Sequence, residues 1–551
     1  MPATPGDRRI IRWFIAMWIV AGLLMLLLLA RPDIQRTQEA RVLGTAREML
    51  ERGTQRDFLI PHLNGKARLQ KPPLAYWVTA ASFAIFGVND FSGRLPAALA
   101  AWLTVAVTFT IARRQFGARA AAFAAAALFG SVLFVRYGSL AETDIWTALF
   151  VTIAIGALLR CFDESRAPRL TGRFARWAHL AAVAMALTIL VKGAPALFPF
   201  LFLIAACAVR RQWNVLARWL LCGAPVTLIL LAAPWFIYIT TVPEWTILIR
   251  ELRVIAEGGG HRGWFFIYFG DLLVGTAPWT GLMVLGVADA VRRARRDPRL
   301  ALMLIWFLAI FVPLCISQQK QKHYLMPALP PLAMLTGWII DRGVRLTRAE
   351  DDAETDALSA DPIVGAVKPV LIITLCVAVA AGVGLPAAGL YMRHRFRPLH
   401  DLPLGVGIAL AGVMGLWLLN RRGVRCGVAA LAILATPIVL LTLLYWSPTT
   451  EPESYRDVAA TMRYDEANAG GARFRYAFYA QPENLPLCWA MRRVIPSLFT
   501  QNEIEAALAV QPRPVLLTSS PNLSQPLPPD YVERHRFEVD DKPVTIHFPK
   551  P

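Results

Sequence analysis

Lysine side chains on one side of the predicted membrane topology are the first residues that suggest chemistry. The chain has eight lysines, and five fall in segments that we expect on the outer side: Lys66, Lys71, Lys192, Lys320 and Lys322. Lys192 has apolar neighbours on both sides, and an ionisable group in such surroundings is a functional candidate. Lysine binds phosphate as a point charge. With Arg41, Arg262 and His323, these lysines predict an anion site at the membrane surface, whereas Lys66 and Lys322 alone could equally contact lipid headgroups.

Carboxylates in the same outer segments are fewer. Asp144 follows Ala141-Glu142-Thr143 at the predicted start of a span, where an acid would also cap a helix and favour its dipole. Glu39 begins a helical pattern, so its alternative role is a favourable charge in a first turn. His261, next to Arg262, could hold a metal or a phosphate, or only shape a turn.

A long polar loop, about residues 31–89, carries most of these groups. It combines charged and hydrogen-bonding residues with an aromatic, apolar helical pattern, Leu74–Phe86, that is too short to cross a bilayer and suits the membrane interface. A loop of this length with its own helical patterns is typical of a functional segment. Its polar residues are Gln38, Glu39, Arg41, His62, Asn64, Lys66, Arg68 and Lys71.

The composition is that of a polytopic membrane protein. Of 551 residues, 56% are hydrophobic and 17% charged, which is more apolar surface than a soluble chain of this length buries. The formal charge of +19 does not indicate nucleic-acid binding, because most basic residues are arginines at the ends of apolar spans, where they set topology. The seven cysteines fall almost wholly in apolar runs and predict no disulfide framework.

Arginine clusters on every second loop predict about thirteen transmembrane helices, with an inside N-terminus and an outside C-terminus. We therefore expect a mainly α membrane domain over residues 1–446 and a small periplasmic α/β domain over residues 447–551. Strand patterns at Arg473–Tyr479, Pro514–Thr518 and Val544–His547 alternate there with a helical pattern at Glu503–Val510. Between the tenth and eleventh spans, 341–361 reads as an acidic, disordered linker.

Several function classes lack sequence support. There is no HExxH, P-loop or GxGxxG motif, so the chain offers no sign of a zinc peptidase, an ATPase or a dinucleotide enzyme. No internal repeat is evident, which argues against inverted-repeat transporters.

A series of motifs resembles one enzyme family. The stretches QEARVLGTAREMLERG and DFLIPHLNGKARLQKPPLAYW are similar to the first outer loop of ArnT-type lipid A aminoarabinose transferases and protein O-mannosyltransferases (glycosyltransferase family 39, GT-C fold). Further matches in the same order are TD at Thr143-Asp144, VKG at Val191–Gly193, PW at Pro234-Trp235 and Pro278-Trp279, and K-x-x-x-Y-x-x-P at 320–327. The resemblance covers nearly the whole chain.

The resemblance implies a GT-C bundle with amphipathic outer-loop helices in a bacterial inner membrane, its active site on the periplasmic side. It implies an inverting enzyme that takes a sugar from a polyprenyl phosphate and transfers it to lipid A or another lipid or glycan. Asp144 would lie near the reacting centre, with Glu39 as a second catalytic acid. The donor phosphate would bind Arg41, Lys71, Lys192, Tyr324, Arg262 and Lys320, and substrate would contact Gln38, His62, Tyr76 and His323.

Two departures from the family pattern remove charge. The first aspartate of the family is Gln38 here, and the glutamate that helps form its metal site is Gln70. We therefore expect no obligatory cofactor; a divalent metal such as zinc, with His261 as a ligand, is the one candidate. The expected partners are the lipid substrates and membrane lipids; we expect no nucleic acid, and a monomer.

The chemistry of the acceptor separates the functional hypotheses. A serine or threonine hydroxyl needs a general base, whereas a lipid phosphate is already anionic and needs only positioning and desolvation. The loss of a carboxylate at Gln38 therefore favours transfer of 4-amino-4-deoxy-L-arabinose, or a similar sugar, to lipid A phosphate over protein O-mannosylation. A lipid-linked-sugar flippase and a non-catalytic binding protein are the alternatives from other classes.

Overall fold

The structure is a computed structural model. The structure describes residues 5–29, 33–34, 36–165, 172–256, 263–346, 361–391, 398–424, 426–429, 431–432, 453–471, 473–519, 525–539 and 542–550. The chain divides into two compact units. The first unit comprises Met1–Leu26 and Ala97–Leu443, and the second comprises Leu27–Pro96 and Leu444–Pro551. The predicted domain boundary near residue 446 stays a prediction.

Helices dominate the described residues. The α-helices are α1 (Pro5–Leu28), α2 (Thr37–Arg52), α3 (Gln55–Leu59), α4 (Leu74–Phe86), α5 (Asp90–Phe116), α6 (Ala118–Phe129), α7 (Val132–Gly138), α8 (Asp144–Glu164), α9 (Gly172–Lys192), α10 (Leu197–Arg210), α11 (Trp213–Leu221), α12 (Ala224–Thr240), α13 (Trp245–Ala256), α14 (Ile267–Gly275), α15 (Thr280–Arg293), α16 (Pro298–Ile316), α17 (Leu329–Leu346), α18 (Pro362–Gly365), α19 (Val367–Tyr391), α20 (Pro398–Arg422), α21 (Tyr455–Asn468), α22 (Leu485–Met491) and α23 (Gln501–Ala509). Two 3₁₀ helices, Ala194–Ala196 and Lys322–Ala328, interrupt this series.

The multi-pass membrane architecture is confirmed. Among the described residues, six helices are long and apolar enough to span a bilayer, or up to nine if each sharply bent helix pair is one span. The bent pairs are α6 with α7, α11 with α12, and α14 with α15. The predicted count of thirteen stays a prediction, because residues 433–452, where the last span was expected, lie outside the described residues.

The interpretation of 341–361 as a disordered linker is wrong at both ends. Helix α17 continues to Leu346, and buried Asp341 accepts a hydrogen bond from Arg345 (Nε–Oδ2 3.0 Å). Asp361 is also buried and accepts from Arg342 (3.0 Å), which binds buried Asp289 as well (2.8 Å). Burial with ion-paired arginines holds these acids in place. Residues 347–360 lie outside the described part of the chain.

The second unit contains the predicted outer-loop helices. Residues Val42 and Met49 on α2 form a small core with Tyr76 on α4, and α2 ends where Gly53, at φ 69°, donates its N–H to the Met49 carbonyl. The predicted helix Leu74–Phe86 is confirmed with those bounds. Its apolar 13 residues are too short to cross a bilayer.

The last part of the second unit is an α/β fold, as predicted. The outer loop carries a short hairpin of β1 (His62–Leu63) and β2 (Lys66–Ala67). The C-terminal part has strands β3 (Tyr476–Tyr479), β4 (Ser497–Leu498), β5 (Val515–Thr518), β6 (Tyr531–Val539) and β7 (Lys542–Pro549). The last five form one sheet in the order β4-β3-β5-β7-β6. Strand β3 pairs parallel with β4 and β5, whereas β7 pairs antiparallel with β5 and β6. Capping boxes at Ser454 and Thr500 fix the starts of α21 and α23.

Candidate active site

An ion pair joins two neighbouring helix ends in the first unit. Asp144 is the first residue of α8, and Lys192 is the last residue of α9. These helices pack together and have 21 residues each, so the start of one meets the end of the other. The ammonium of Lys192 binds Asp144 Oδ1. Each charge also complements the dipole of its own helix, because acids favour a helix N-terminus and cations a C-terminus.

The 3₁₀ helix Lys322–Ala328 places two aromatic side chains at this ion pair. The Nζ of Lys192 lies 3.7 Å from the centre of the Tyr324 ring, within the range of a cation–π interaction. The neighbouring His323 is 4% exposed, and its Nε2 lies 3.6 Å from Asp144 Oδ2. The sequence therefore identified four residues that meet here: Asp144, Lys192, His323 and Tyr324.

Glu142 completes this cluster and was not identified as a site residue from the sequence. It is 4% exposed, and its Oε2 lies 3.9 Å from His323 Nδ1. The available signal was the E-x-D spacing of Glu142 and Asp144, because two acids separated by one residue at the start of a helix can approach a common partner. Tyr137, whose ring centre lies 5.3 Å from that of His323, was also missed.

Glu142, Asp144 and His323 could together bind a divalent ion. One potential ligand atom from each lies within 4.8 Å of the others, and they are the one such group found among the described residues. One imidazole and two carboxylates suit zinc or manganese. Lys192 already places a positive charge on Asp144, and this charge would oppose a second cation at the same carboxylate.

Lys320 has structural contacts. Its Nζ donates to the carbonyl oxygens of Leu314 and Cys315, each at 2.6 Å, and lies 4.9 Å from the centre of the Tyr268 ring. These carbonyls end helix α16, which a cation stabilises. Two of the three ammonium N–H groups are therefore used within the protein, which leaves Lys320 poorly suited to the phosphate-binding role predicted for it.

Glu39 is a buried partner of Arg94 in the second unit. Its two carboxylate oxygens accept hydrogen bonds from Arg94 Nε (2.7 Å) and NH2 (3.0 Å), and both side chains are 1% exposed. Arg94 also donates to the Leu29 carbonyl at 2.9 Å. The predicted catalytic acid thus makes contacts that join α2 to α5. Its catalytic role stays a prediction that these contacts do not favour.

Four further polar site residues predicted in the outer loop are Gln38, Arg41, Lys71 and His62. Arg41 NH1 donates to Gln38 Oε1 at 3.2 Å, so these two predicted ligands contact each other. Lys71 lies half-buried just before α4. His62 lies 3.5 Å from Asp57 (Nδ1–Oδ1), and burial lowers the pKa of its imidazole, with nearby Arg52 acting in the same direction.

Tyr76 occupies a core position. It is 1% exposed, packs with Val42 and Met49, and accepts a hydrogen bond from Arg68 (Nε–OH 3.3 Å). The predicted contact with substrate is therefore not favoured by its location, because its ring is used to pack α2 against α4.

The metal site implied by the family resemblance is incomplete in the described residues. Gln70 Oε1 is buried and has no hydrogen-bond partner there, but it is a neutral amide oxygen and a weak ligand for zinc. His261 and Arg262, the predicted metal and phosphate ligands, lie outside the described residues.

Comparisons with known proteins confirm the resemblance indicated by the motifs. Residues 70–238 match the profile of the family described as dolichyl-phosphate-mannose-protein mannosyltransferase. A Pseudomonas fluorescens relative named undecaprenyl phosphate-alpha-4-amino-4-deoxy-L-arabinose arabinosyl transferase 2 is 32% identical over 343 residues, or 60% of this chain and 57% of the relative. A Proteus mirabilis protein of the same name is 28% identical over 56% of this chain and 55% of its own length. The matched region thus spans little more than half of these relatives.

A solved structure confirms the fold over nearly the whole chain. The crystal structure of ArnT from Cupriavidus metallidurans bound to undecaprenyl phosphate superimposes with a TM-score of 0.71 at 22% identity and covers 97% of both chains. At this identity the similarity shows the fold alone. The chain is therefore mainly helical, with a GT-C fold similar to that of ArnT and a small C-terminal sheet, as the sequence predicted.

Proposed function

We propose that this chain is an inverting glycosyltransferase that uses a polyprenyl-phosphate-linked sugar as donor. The observation that carries the proposal is the cluster of Lys192, Asp144 and Tyr324, formed where two membrane helices end. The curated relatives and the superimposed structure carry names that refer to undecaprenyl phosphate, and a half-buried lysine at a helix end suits a lipid phosphate.

In this proposal Lys192 binds the phosphate of the donor. Its ammonium has three N–H donors, and Asp144 and the Tyr324 ring hold it in one place. An acceptor oxygen attacks the anomeric carbon from the face opposite the phosphate; the new C–O bond forms as the bond to the phosphate oxygen breaks. The leaving polyprenyl phosphate gains a negative charge, which Lys192 stabilises.

The preferred acceptor is a phosphate of lipid A or of another outer lipid, and the preferred sugar is 4-amino-4-deoxy-L-arabinose or a close analogue. A phosphate oxygen is already anionic, so the site needs no proton acceptor. Asp144 is a poor general base in this arrangement, because Lys192 binds one of its oxygens and His323 approaches the other. The predicted location is the bacterial inner membrane, with the site on the periplasmic side.

Transfer to a serine or threonine hydroxyl is the second candidate. Two observations favour it: the family profile matched by residues 70–238 is that of a protein mannosyltransferase, and Glu142 lies beside His323. A histidine next to a carboxylate can take a proton from a hydroxyl. This candidate assigns the proton to His323, whereas the lipid-phosphate candidate needs no such step.

A transfer assay with purified protein separates these candidates. The donors are synthetic undecaprenyl-phosphate aminoarabinose and a polyprenyl-phosphate mannose, each offered with lipid A or a serine- and threonine-rich peptide. We expect transfer of aminoarabinose to lipid A, detected by mass spectrometry. Transfer to peptide alone would establish the second candidate, and no transfer with any pair would indicate a non-catalytic binder. Mass spectrometry of lipid A and surface glycans from cells with and without the gene tests the same assignment in vivo.

A further inference from the structure

A cavity of about 450 Å³ lies within the second unit, and none of the residues that line it is assigned a role above. Its walls come from the segment before α2, the start of α5, and helices α21 and α22. The volume falls within the range of about 300–1,000 Å³ that small-molecule sites occupy. Its polar lining residues are Asp33, Asn89, Asp90, Tyr455, Arg456, Arg463, Trp489 and Arg492.

Two carboxylates are fixed at the cavity. Arg456 forms ion pairs with both Asp33 and Asp90, and its backbone N–H also donates to Asp33 Oδ2 at 3.4 Å. Trp489 Nε1 donates to Asp90 Oδ1 at 2.8 Å. Asp33 is 4% exposed. Because both acids are held by donors on α21 and α22, they present preorganised acceptors to a ligand.

Two further arginines line the cavity and are exposed. Arg463 NH1 donates to the carbonyl of Ala490 at 3.1 Å, and Arg492 NH1 donates to the carbonyl of Val88. These bonds fix the direction of each guanidinium. A guanidinium has five N–H donors, so both arginines retain donors for an anion. With Arg456, three positive charges stand against two carboxylates, which leaves a net charge of one positive unit at the cavity.

We propose that this cavity binds a phosphorylated saccharide. The phosphate binds the guanidinium groups of Arg463 and Arg492, which match its geometry. Hydroxyl groups of the sugar donate to Asp33 and Asp90. The two carboxylates make the cavity unfavourable for a ligand that carries phosphate alone, because they would repel it, and the arginines favour a charged sugar over a neutral one.

Two sources could supply this chemistry: the phosphorylated headgroup of an acceptor glycolipid and the sugar phosphate of the polyprenyl donor. We favour the acceptor glycolipid, and this choice rests on the proposed function. The binding of a phosphorylated saccharide in the cavity does not depend on that function. Binding is measured without turnover, so the two proposals fail separately. A chain that binds the headgroup but transfers no sugar would overturn the proposed function and leave this site in place.

Calorimetry on the purified full-length chain in detergent tests the site. The probe is the deacylated, phosphorylated disaccharide headgroup of lipid A; the same disaccharide without phosphate and inorganic phosphate are the comparison ligands. We expect the phosphorylated disaccharide to bind more tightly than both. An excess of undecaprenyl phosphate should leave its affinity unchanged, and displacement by this lipid would overturn the acceptor as the source.

The test variant combines Arg463→Gln with Arg492→Gln. The control is Arg473→Gln, because Arg473 is an exposed arginine of the same unit that does not line the cavity. The double variant should bind the phosphorylated disaccharide at least about tenfold more weakly, since it loses two charge-assisted contacts, and Arg473→Gln should bind like the wild type. Replacement of both arginines by lysine keeps the charge, so the affinity for the phosphorylated disaccharide should lie between that of the double glutamine variant and that of the wild type. Unchanged affinity in the double variant, or equal affinity for the dephosphorylated disaccharide or for inorganic phosphate, would overturn the proposal.

Discussion

Lys192 and Asp144 form an ion pair across 48 residues of sequence, at the meeting point of two helix ends. Lys192 is 15% and Asp144 is 5% exposed in their side chains. Water therefore screens this pair less than a surface pair, and the two charges hold each other in a defined place. Any anion that binds Lys192 meets an ammonium whose position is already set.

Substitutions at this pair should separate binding from turnover. Lys192→Ala should weaken donor binding by about 1.5–3 kcal/mol because it removes a charge-assisted contact to phosphate. Asp144→Asn removes the charge that positions Lys192, so it should lose most turnover and about 1–3 kcal/mol of stability. Transfer kinetics and thermal unfolding measure both effects. The control is Asp163→Asn near the other end of α8, which has an exposed partner, Arg114. Full activity in Asp144→Asn would mean that the active site lies around another acid.

Glu39→Gln should lower the free energy of unfolding rather than impair the transfer step itself. The substitution leaves the buried Arg94 guanidinium without its carboxylate, and breaking a buried pair in this way costs about 3–5 kcal/mol. Thermal unfolding in detergent measures the loss. Glu51→Gln on the same helix is the control, because Glu51 is 54% exposed. A Glu39→Gln protein that unfolds like the wild type but cannot transfer sugar would restore Glu39 as a catalytic acid.

The cluster of Glu142, Asp144 and His323 should hold no stoichiometric metal. Lys192 already neutralises Asp144, and a divalent ion beside that ammonium would be repelled. Metal analysis of purified protein should find less than one zinc or manganese ion per chain, and transfer activity should survive a chelator. His323→Gln should leave the metal content unchanged. One metal ion per wild-type chain that disappears in His323→Gln would refute this expectation.

His62 should make folding sensitive to mild acid. Burial lowers the pKa of His62 below its usual value of 6.5. As the pH falls through 6.5, the unfolded chain takes up a proton that folded His62 takes up only at lower pH, so the free energy of unfolding decreases, by less than about 1.4 kcal/mol per pH unit. His62→Gln should remove this contribution to the slope between pH 7 and 5. Burial also lowers the pKa of His547, so His547→Gln should remove a separate contribution; a slope unchanged by His62→Gln would contradict the assignment.

Reporter fusions test the predicted sidedness of the membrane. Arginine clusters favour the inside, so fusions after Arg119, Arg211 and Arg296 should report inside, and a fusion after Trp446 should report outside. Alkaline phosphatase and fluorescent-protein activities measure the two locations. An inside report after Trp446 would place the C-terminal domain in the cytoplasm and overturn the periplasmic assignment.

The sequence by itself determined the class of protein, the outer-loop helices and much of the candidate site. Apolar length and arginine placement identify membrane spans because a bilayer imposes a fixed thickness and a preference for positive charge inside. The same local logic predicted the helix Leu74–Phe86 and a strand at Pro514–Thr518, which the structure has at Val515–Thr518. Lys192 was identifiable because a charge within an apolar run is costly unless it is used.

Only the tertiary structure decided which charges meet. The packing of two helices brings Lys192 and Asp144 together. Arg94 and Glu39, which are 55 residues apart in the sequence, also meet only in the folded chain. Periodicity records which face of a helix is apolar, but it does not record which helix that face will meet or at what register. For the same reason the sequence assigned Lys320 to phosphate, although its ammonium binds the carbonyls that end α16.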